Sequence, residues 1–147
     1  MENFKVKLIN YNSEEYKFEV ELRNNVLRKP LGMNLYDENL NSEINDFHIG
    51  AFVNDKLVGV LILTPLNEVD MKMRQVAVDE KFRQMNIGRK MVHFSEEFSI
   101  NKGYKSMMLN ARSTATGFYT KLSYNIISDL FLEINIPHYR MQKILSK

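Results

Sequence analysis

The sequence predicts an α/β fold with a mixed, mostly antiparallel sheet flanked by helices. Three observations carry this. Two apolar runs, His48 to Val53 and Leu57 to Leu63, are separated by the polar pair Asn54-Asp55, which reads as a β-hairpin. The apolar spacing then changes from strand-like to helical after Val78, where Ile87, Met91, Phe94 and Phe98 form one stripe. It returns to strand-like from Lys105 to Ala111. A strand–helix–strand unit of this kind requires parallel pairing of its two strands, whereas the short connections before it favour antiparallel neighbours.

Phe4 to Ile9 alternates apolar residues with lysines and reads as a short strand. Asn12 or Ser13 caps a helix, with Glu14 and Glu15 in its first turn. Tyr16, Val20, Arg23 and Leu27 continue it at helical spacing, and Pro30 and Gly32 stop it. Arg23 and Arg28 read singly as a solvated helix face, with the border of a pocket as the alternative. Met33 to Asp46 is polar, with a short helix expected around Glu38 to Ile44. After the hairpin, Val69 to Val78 supplies a third strand. In the helix that follows, Arg89, Lys90, Glu96 and Glu97 are expected opposite the apolar stripe, and Lys102-Gly103 ends it. Ser113 is expected to cap a further helix carrying Ala115, Phe118, Tyr119 and Leu122. Strands then follow at Tyr124 to Ile127 and Phe131 to Ile136, the last extended by Tyr139 to Ile144.

With 147 residues, 44% hydrophobic and 26% charged, the chain is expected to be a single globular domain spanning 1–147. The net charge of +2 is spread without blocks of one sign, so neither a nucleic-acid nor a membrane partner is expected. Without cysteine there is no disulfide, thiolate metal site or cysteine nucleophile. His48, His93 and His138 fall in no ligand spacing, and no metal is expected. The first residues lack an apolar signal segment, and the longest apolar run is too short to span a bilayer, so a cytoplasmic location is expected.

The most informative stretch is Val76-Ala77-Val78-Asp79-Glu80-Lys81-Phe82-Arg83-Gln84-Met85-Asn86-Ile87-Gly88-Arg89-Lys90. A strand enters a polar loop that opens an amphipathic helix. Helix-start N–H groups lack intrahelical partners and sit at the positive end of the macrodipole, so they suit a pyrophosphate. Arg83, Arg89 and Lys90 add cations, and Gly88 allows close backbone approach.

Arg83-Gln84-Met85-Asn86-Ile87-Gly88 resembles the Arg/Gln-x-x-Gly-x-Gly/Ala signature of the GCN5-related N-acetyltransferase (GNAT) family, with Asn86 in place of the first glycine. Leu109-Asn110-Ala111 and the segment Ala115 to Tyr124 are similar to the same family, with Ser123 where glycine is usual. Ile136-Pro137-His138-Tyr139-Arg140-Met141 resembles a C-terminal strand of one subset of small bacterial members.

The resemblance implies an acyl-CoA N-acyltransferase fold and a bacterial, cytoplasmic enzyme. It implies acetyl transfer from acetyl-CoA, without a metal, to a primary amine of a small molecule or peptide by direct attack in a ternary complex. The implied cofactor-binding residues are Val76, Ala77, Val78, Arg83, Gln84, Met85, Asn86, Ile87, Gly88, Arg89, Lys90, Asn110, Phe118 and Tyr119. Asn110 could equally cap the turn that follows its strand. Tyr119 is implied as general acid to the leaving thiolate. For the base, His138 has a suitable ordinary pKa, with Glu68, Asp70 and Glu133 as carboxylate alternatives. A homodimer is common in similar proteins. The competing readings are a non-catalytic acyl-CoA sensor and an interaction domain of the same fold.

Overall fold

In the computed structural model, which describes residues 3–146, the expected hairpin joins β2 (Phe47–Val53) to β3 (Lys56–Pro65). Asn54 and Asp55 have φ of 49° and 68°, so both turn residues are left-handed, as a type I′ turn requires. β1 (Phe4–Ile9) pairs antiparallel with β2 from Phe4↔Val53 to Ile9↔His48.

These strands belong to the first of two compact units, which comprises the chain up to Thr64 together with Gln75–Ser95. The second comprises Pro65–Arg74 and the chain from Glu96 onward. β4 (Asp70–Val78) and α2 (Ile87–Asn101) each contribute one part to either unit.

In the first unit, Ser13 caps α1 (Glu14–Arg23), its side chain accepting from Tyr16 N at 3.3 Å. The helix widens into a π turn at Asn24–Arg28, tightens at Lys29–Leu31 and stops at Gly32, φ 71°. Tyr16, Leu22, Val26 and Leu27 pack on a core of Ile9, Phe52, Val60 and Ala77. Gly59 of β3 faces α2 closely. A Cβ there would lie 2.8 Å from Ile87 Cγ2 and 3.0 Å from Met91 Cε, so the glycine sets how near the helix comes. The helix expected near Glu38 to Ile44 is instead two 3₁₀ turns, Leu35–Asp37 and Asn41–Asn45. Polar side chains hold this segment: Asn24 Oδ1 accepts from Leu35 N at 2.8 Å, and Asn34 Oδ1 from Tyr36 N at 3.0 Å.

In the second unit, β4 pairs in parallel with β5 (Ser106–Arg112) from Asp70↔Ser106 to Met73↔Leu109. β8 (Ile136–Ile144) pairs antiparallel with β5 on one edge and with β6 (Asn125–Ile126) and β7 (Phe131–Glu133) on the other. Met71, Met73, Met107, Leu109, Ala111 and Met141 are buried. Gly103, φ 92°, closes α2 as expected, with Tyr104 N bonding back to Ser99 O. Of the residues expected on the exposed side of α2, Glu96 is instead buried. It accepts from Tyr124 Oη at 2.8 Å and Lys143 Nζ at 2.9 Å, so hydrogen bonding offsets its desolvation.

Two further expectations need correction. Ser113 does not cap its helix by side chain. A 3₁₀ turn, Ser113–Ala115, precedes α3 (Thr116–Lys121), and the Ser113 carbonyl accepts from Thr116 Oγ1. The strand expected from Phe131 through Ile144 is broken by a hairpin at Ile134-Asn135, φ 46° and 60°. A β-branched residue at positive φ is strained, which hides the turn from sequence patterning. Ser123, φ 75°, ends α3 in a Schellman arrangement, with Ser123 N bonded to Thr120 O and Tyr124 N to Tyr119 O. Ile134→Asn and Ser123→Gly should therefore each raise unfolding stability by about 1 kcal/mol, read as a higher denaturant midpoint at unchanged m-value.

Candidate active site

The turn after β4 is anchored before it reaches the helix. Asp79 N donates to Val58 O at 2.8 Å, and Asp79 Oδ1 accepts from Lys81 N at 3.0 Å. A 3₁₀ turn, Glu80–Met85, then leads to Asn86, whose φ of 58° and ψ of 32° are left-handed. The Asn86 carbonyl accepts the first α2 hydrogen bond, from Lys90 N at 3.1 Å. The N–H groups of Ile87, Gly88 and Arg89 therefore precede any intrahelical acceptor and lie at the positive end of the helix, the kind of end that suits an anion. Ile87 is 1% exposed and contributes only its backbone, since its side chain packs beside Gly59. Arg83, Gln84, Asn86, Arg89 and Lys90 are exposed, while Met85 and Gly88 are half-buried. Lys90 Nζ lies 4.6 Å from the Phe4 ring centroid, and Arg83 makes only a 4.0 Å ion pair with Glu80. Arg89 has no charged partner among the described residues, which makes it the cation most available to a phosphate.

On β4, Ala77 is buried in the first unit's core, while Val76 and Val78 are partly buried. Gln75, immediately before them, has φ 53°. A left-handed non-glycine residue inside a strand is uncommon and bends it. The β4–β5 register covers only Asp70 to Met73 of β4, although the strand runs on to Val78.

Beside this strand lies a buried charge cluster that sequence reasoning missed. Arg23, expected on a solvated face, is 0% exposed. Its guanidinium binds Glu43 bidentately at 2.8 and 2.7 Å, Glu19 Oε2 at 2.9 Å and Gln75 Oε1 at 2.9 Å. His48 Nδ1 lies 2.8 Å from Glu19 Oε2, and Nε2 lies 2.8 Å from the Glu43 carbonyl. Both partners are acceptors, so both ring nitrogens donate and His48 is an imidazolium. Two cations thus balance two carboxylates. Tyr16 Oη donates to Glu43 Oε1 at 2.8 Å, and Glu19 Oε1 is buried without a partner among the described residues. One ligand atom each from Glu19, Glu43 and His48 lie within 4.8 Å of one another, but the guanidinium already bonds both carboxylates there. Arg28, the other arginine expected on the solvated face, is also buried and is paired with Glu38 at 2.7 Å. The available signal was Glu19 at i−4 from an arginine that shares a helical stripe with Tyr16 and Val20.

The remaining expected residues lie in the second unit. Tyr119 is 8% exposed, and burial pushes its phenol up to about 12, so it keeps its proton at neutral pH. Its ring meets Phe118 and Tyr124 edge-on at 5.0 and 5.9 Å, and its hydroxyl has no hydrogen-bond partner among the described residues. Phe118 is 40% exposed.

Asn110 stands within β5 rather than capping a turn. Its Nδ2 donates to Glu133 Oε1 at 3.1 Å, and its Oδ1 is buried without a partner among the described residues. The second Glu133 oxygen lies 3.5 Å from His138 Nε2. His138 Nδ1 donates to the Ile136 carbonyl at 2.7 Å, which leaves Nε2 facing Glu133. Of the carboxylate alternatives, Asp70 is committed to Asn67 and Ser106, whose hydrogen bonds hold it below the usual carboxylate range, and Glu68 is exposed in the preceding turn. Val76 to Val78 and Arg83 to Lys90 thus belong to one unit, and the other holds two groups in contact, Asn110 with Glu133 and His138, and Phe118 with Tyr119.

The buried cluster predicts a pH response. Burial pushes the His48 imidazole down, but Glu19 and the Glu43 carbonyl outweigh it and the net direction is upward. Its stabilisation is complete below about pH 6.5, the ordinary imidazole value, and is lost as pH rises through the higher folded value. Burial raises Glu43, but Arg23 outweighs it and the net direction is downward, so that contribution is lost only at acid pH. Thermal unfolding should show a decline on the alkaline side that His48→Gln flattens, while lowering stability near neutrality by about 1–3 kcal/mol.

A family profile described as an acetyltransferase (GNAT) domain matches residues 12–145. The uncharacterized protein YyaT of Bacillus subtilis (strain 168) is 36% identical over 76 residues, 52% of this chain and 51% of that protein. The match thus spans about half the length of that curated relative. A Lactobacillus plantarum protein proposed to be an N-acetyltransferase superposes with a TM-score of 0.86 at 19% identity, covering 97% of this chain and 99% of that one. An aminoglycoside 6′-N-acetyltransferase complexed with coenzyme A superposes at 0.80 and 16% identity, covering 97% and 98%. These likenesses agree with the mixed, mostly antiparallel architecture seen here, and with the profile match over most of its length, the chain belongs to the GNAT acetyltransferase domain family.

Proposed function

We propose that the chain, as one domain over 1–147, is an acetyl-CoA-dependent N-acetyltransferase acting on a primary amine of a small molecule or peptide. The observation that carries this is the β4–α2 turn, where the Ile87, Gly88 and Arg89 amides precede any helical acceptor. Coenzyme A fits the residues present. The Ile87–Arg89 amides with Arg89, and secondarily Arg83 and Lys90, suit its diphosphate. Val76 to Val78 offer main-chain groups to the pantetheine amides, and the buried, unpartnered Asn110 Oδ1 offers an acceptor. Phe118 supplies exposed apolar surface beside Tyr119. The family resemblance of the Ile136-Pro137-His138 strand points to the same subset of small bacterial proteins.

The reaction is direct attack within a ternary complex. The amine nitrogen bonds to the thioester carbonyl carbon as the carbon–sulfur bond breaks. The proton lost by nitrogen passes to the His138–Glu133 pair, whose half-exposed carboxylate is the accessible member. The departing sulfur takes the Tyr119 proton, which solvent later replaces. Tyr119 suits this role because burial keeps it protonated and no group among the described residues hydrogen-bonds its hydroxyl. Asn86 and Ser123 already adopt the left-handed backbone that the family's glycines permit, so neither departure favours a non-catalytic sensor.

Calorimetry with coenzyme A should show saturable binding that Arg89→Ala weakens about threefold to tenfold. Thiol release from acetyl-CoA across a panel of amines, aminoglycosides included, then tests turnover. Tyr119→Phe should lower kcat about 100-fold at unchanged coenzyme A affinity. Binding without any thiol release would instead establish the sensor, and a wild-type protein that ignores coenzyme A would end the transferase reading. His138→Ala should depress kcat and move the acid limb of its pH profile. An unmoved profile would remove His138 from the reaction.

A further inference from the structure

The buried cluster is tied to β4 by the bond from Arg23 Nε to Gln75 Oε1 at 2.9 Å. Gln75 is the residue whose φ of 53° bends the strand just before Val76. A left-handed glutamine is strained relative to ordinary strand backbone, so it persists only where its surroundings hold it. The other guanidinium nitrogens are immobilised by Glu43 and Glu19, both at most 3% exposed, and His48 anchors both of those. Arg23 therefore cannot move without breaking several buried charge-assisted bonds. It is a rigid post, and Gln75 is tied to it. Gln75 itself is only half-buried, so the tie leads from the interior to the strand segment that carries the proposed acyl-donor contacts.

We infer that Arg23 and Gln75 are positioning residues for acetyl transfer. The buried cluster latches the Gln75 bend and so aims the Val76–Val78 main chain at the donor. This rests on the transferase reading above. Neither residue needs to touch the reacting atoms. Their effect is on the direction in which the following amides point, and misplacement by about 1 Å can cost roughly 100-fold in rate.

Gln75→Asn separates the latch from backbone strain. Asparagine tolerates a left-handed backbone better than glutamine does, but it is one methylene too short to reach Arg23 Nε. Gln75→Glu keeps both length and acceptor. The expected result is that Gln75→Asn melts within a few degrees of wild type, binds coenzyme A within about threefold, and loses about tenfold or more in kcat. Gln75→Glu should recover most of that loss. Amide hydrogen exchange at Val76–Val78 should be about tenfold faster in Gln75→Asn than in wild type, a readout that needs no turnover.

Wild-type kcat and exchange in Gln75→Asn would overturn the latch. So would a parallel fall in melting temperature, coenzyme A affinity and kcat, which marks a merely structural contact, or no recovery in Gln75→Glu. Failure of the transferase reading is distinguishable, because it appears in the wild-type protein as absent coenzyme A binding or thiol release. Faster exchange in Gln75→Asn would then still show the tie, while its catalytic role would fall.

Discussion

A guanidinium with no access to water organises the first unit. Arg23 is surrounded by two carboxylates, a histidine that must be charged and a glutamine on β4. A buried ion gains little from its partners unless nearly all its donors are met, and losing one partner leaves the others uncompensated. Arg23 satisfies this demand with groups from α1, the Asn41–Asn45 turn and β4, while His48 adds β2 through Glu19 and the Glu43 carbonyl. Segments that share no apolar stripe are thereby held in one arrangement. The stretch 33–46 buries Leu35 and Glu43, and the pairing of Glu43 with Arg23 helps fix its place.

A second constraint is the recurrence of left-handed residues that are not glycine. Asn54 and Asp55 reverse a hairpin, Ile134 and Asn135 reverse another, Asn86 introduces α2 and Ser123 closes α3. Each gives up some backbone energy to satisfy a local hydrogen-bonding pattern or turn twist. Gln75 differs because it lies inside a strand, where no turn demands it. Its support comes from a distant side chain, and its neighbours are the residues on which the proposed chemistry depends.

Much of the architecture was legible along the chain. The hairpin at Asn54-Asp55, the strand at Val69 to Val78, the amphipathic helix from Ile87 and its glycine stop all follow from patterns of a few neighbouring residues. The β4–α2 turn was legible for the same reason, since a strand, a polar loop and a helix start are consecutive. The hairpin at Ile134 was not, because its residue types contradict its backbone. Glu96 and Arg23 were misread because helical spacing cannot tell a solvated charge from one whose partner lies 28 or 20 residues away, as Tyr124 and Glu43 do.

Residue order alone therefore set the type of most elements and the parallel β4–β5 unit, and it marked the turn at which a diphosphate is proposed to bind. These are local properties of backbone and periodicity. Folding in three dimensions decided which charges are buried, that His48 is doubly hydrogen-bonded, that Asn110 keeps an unmet acceptor and that Gln75 is bent and tied. Those features depend on groups far apart in the chain being brought within about 3 Å of one another, the range in which hydrogen bonds form. No window of neighbouring residues contains that information.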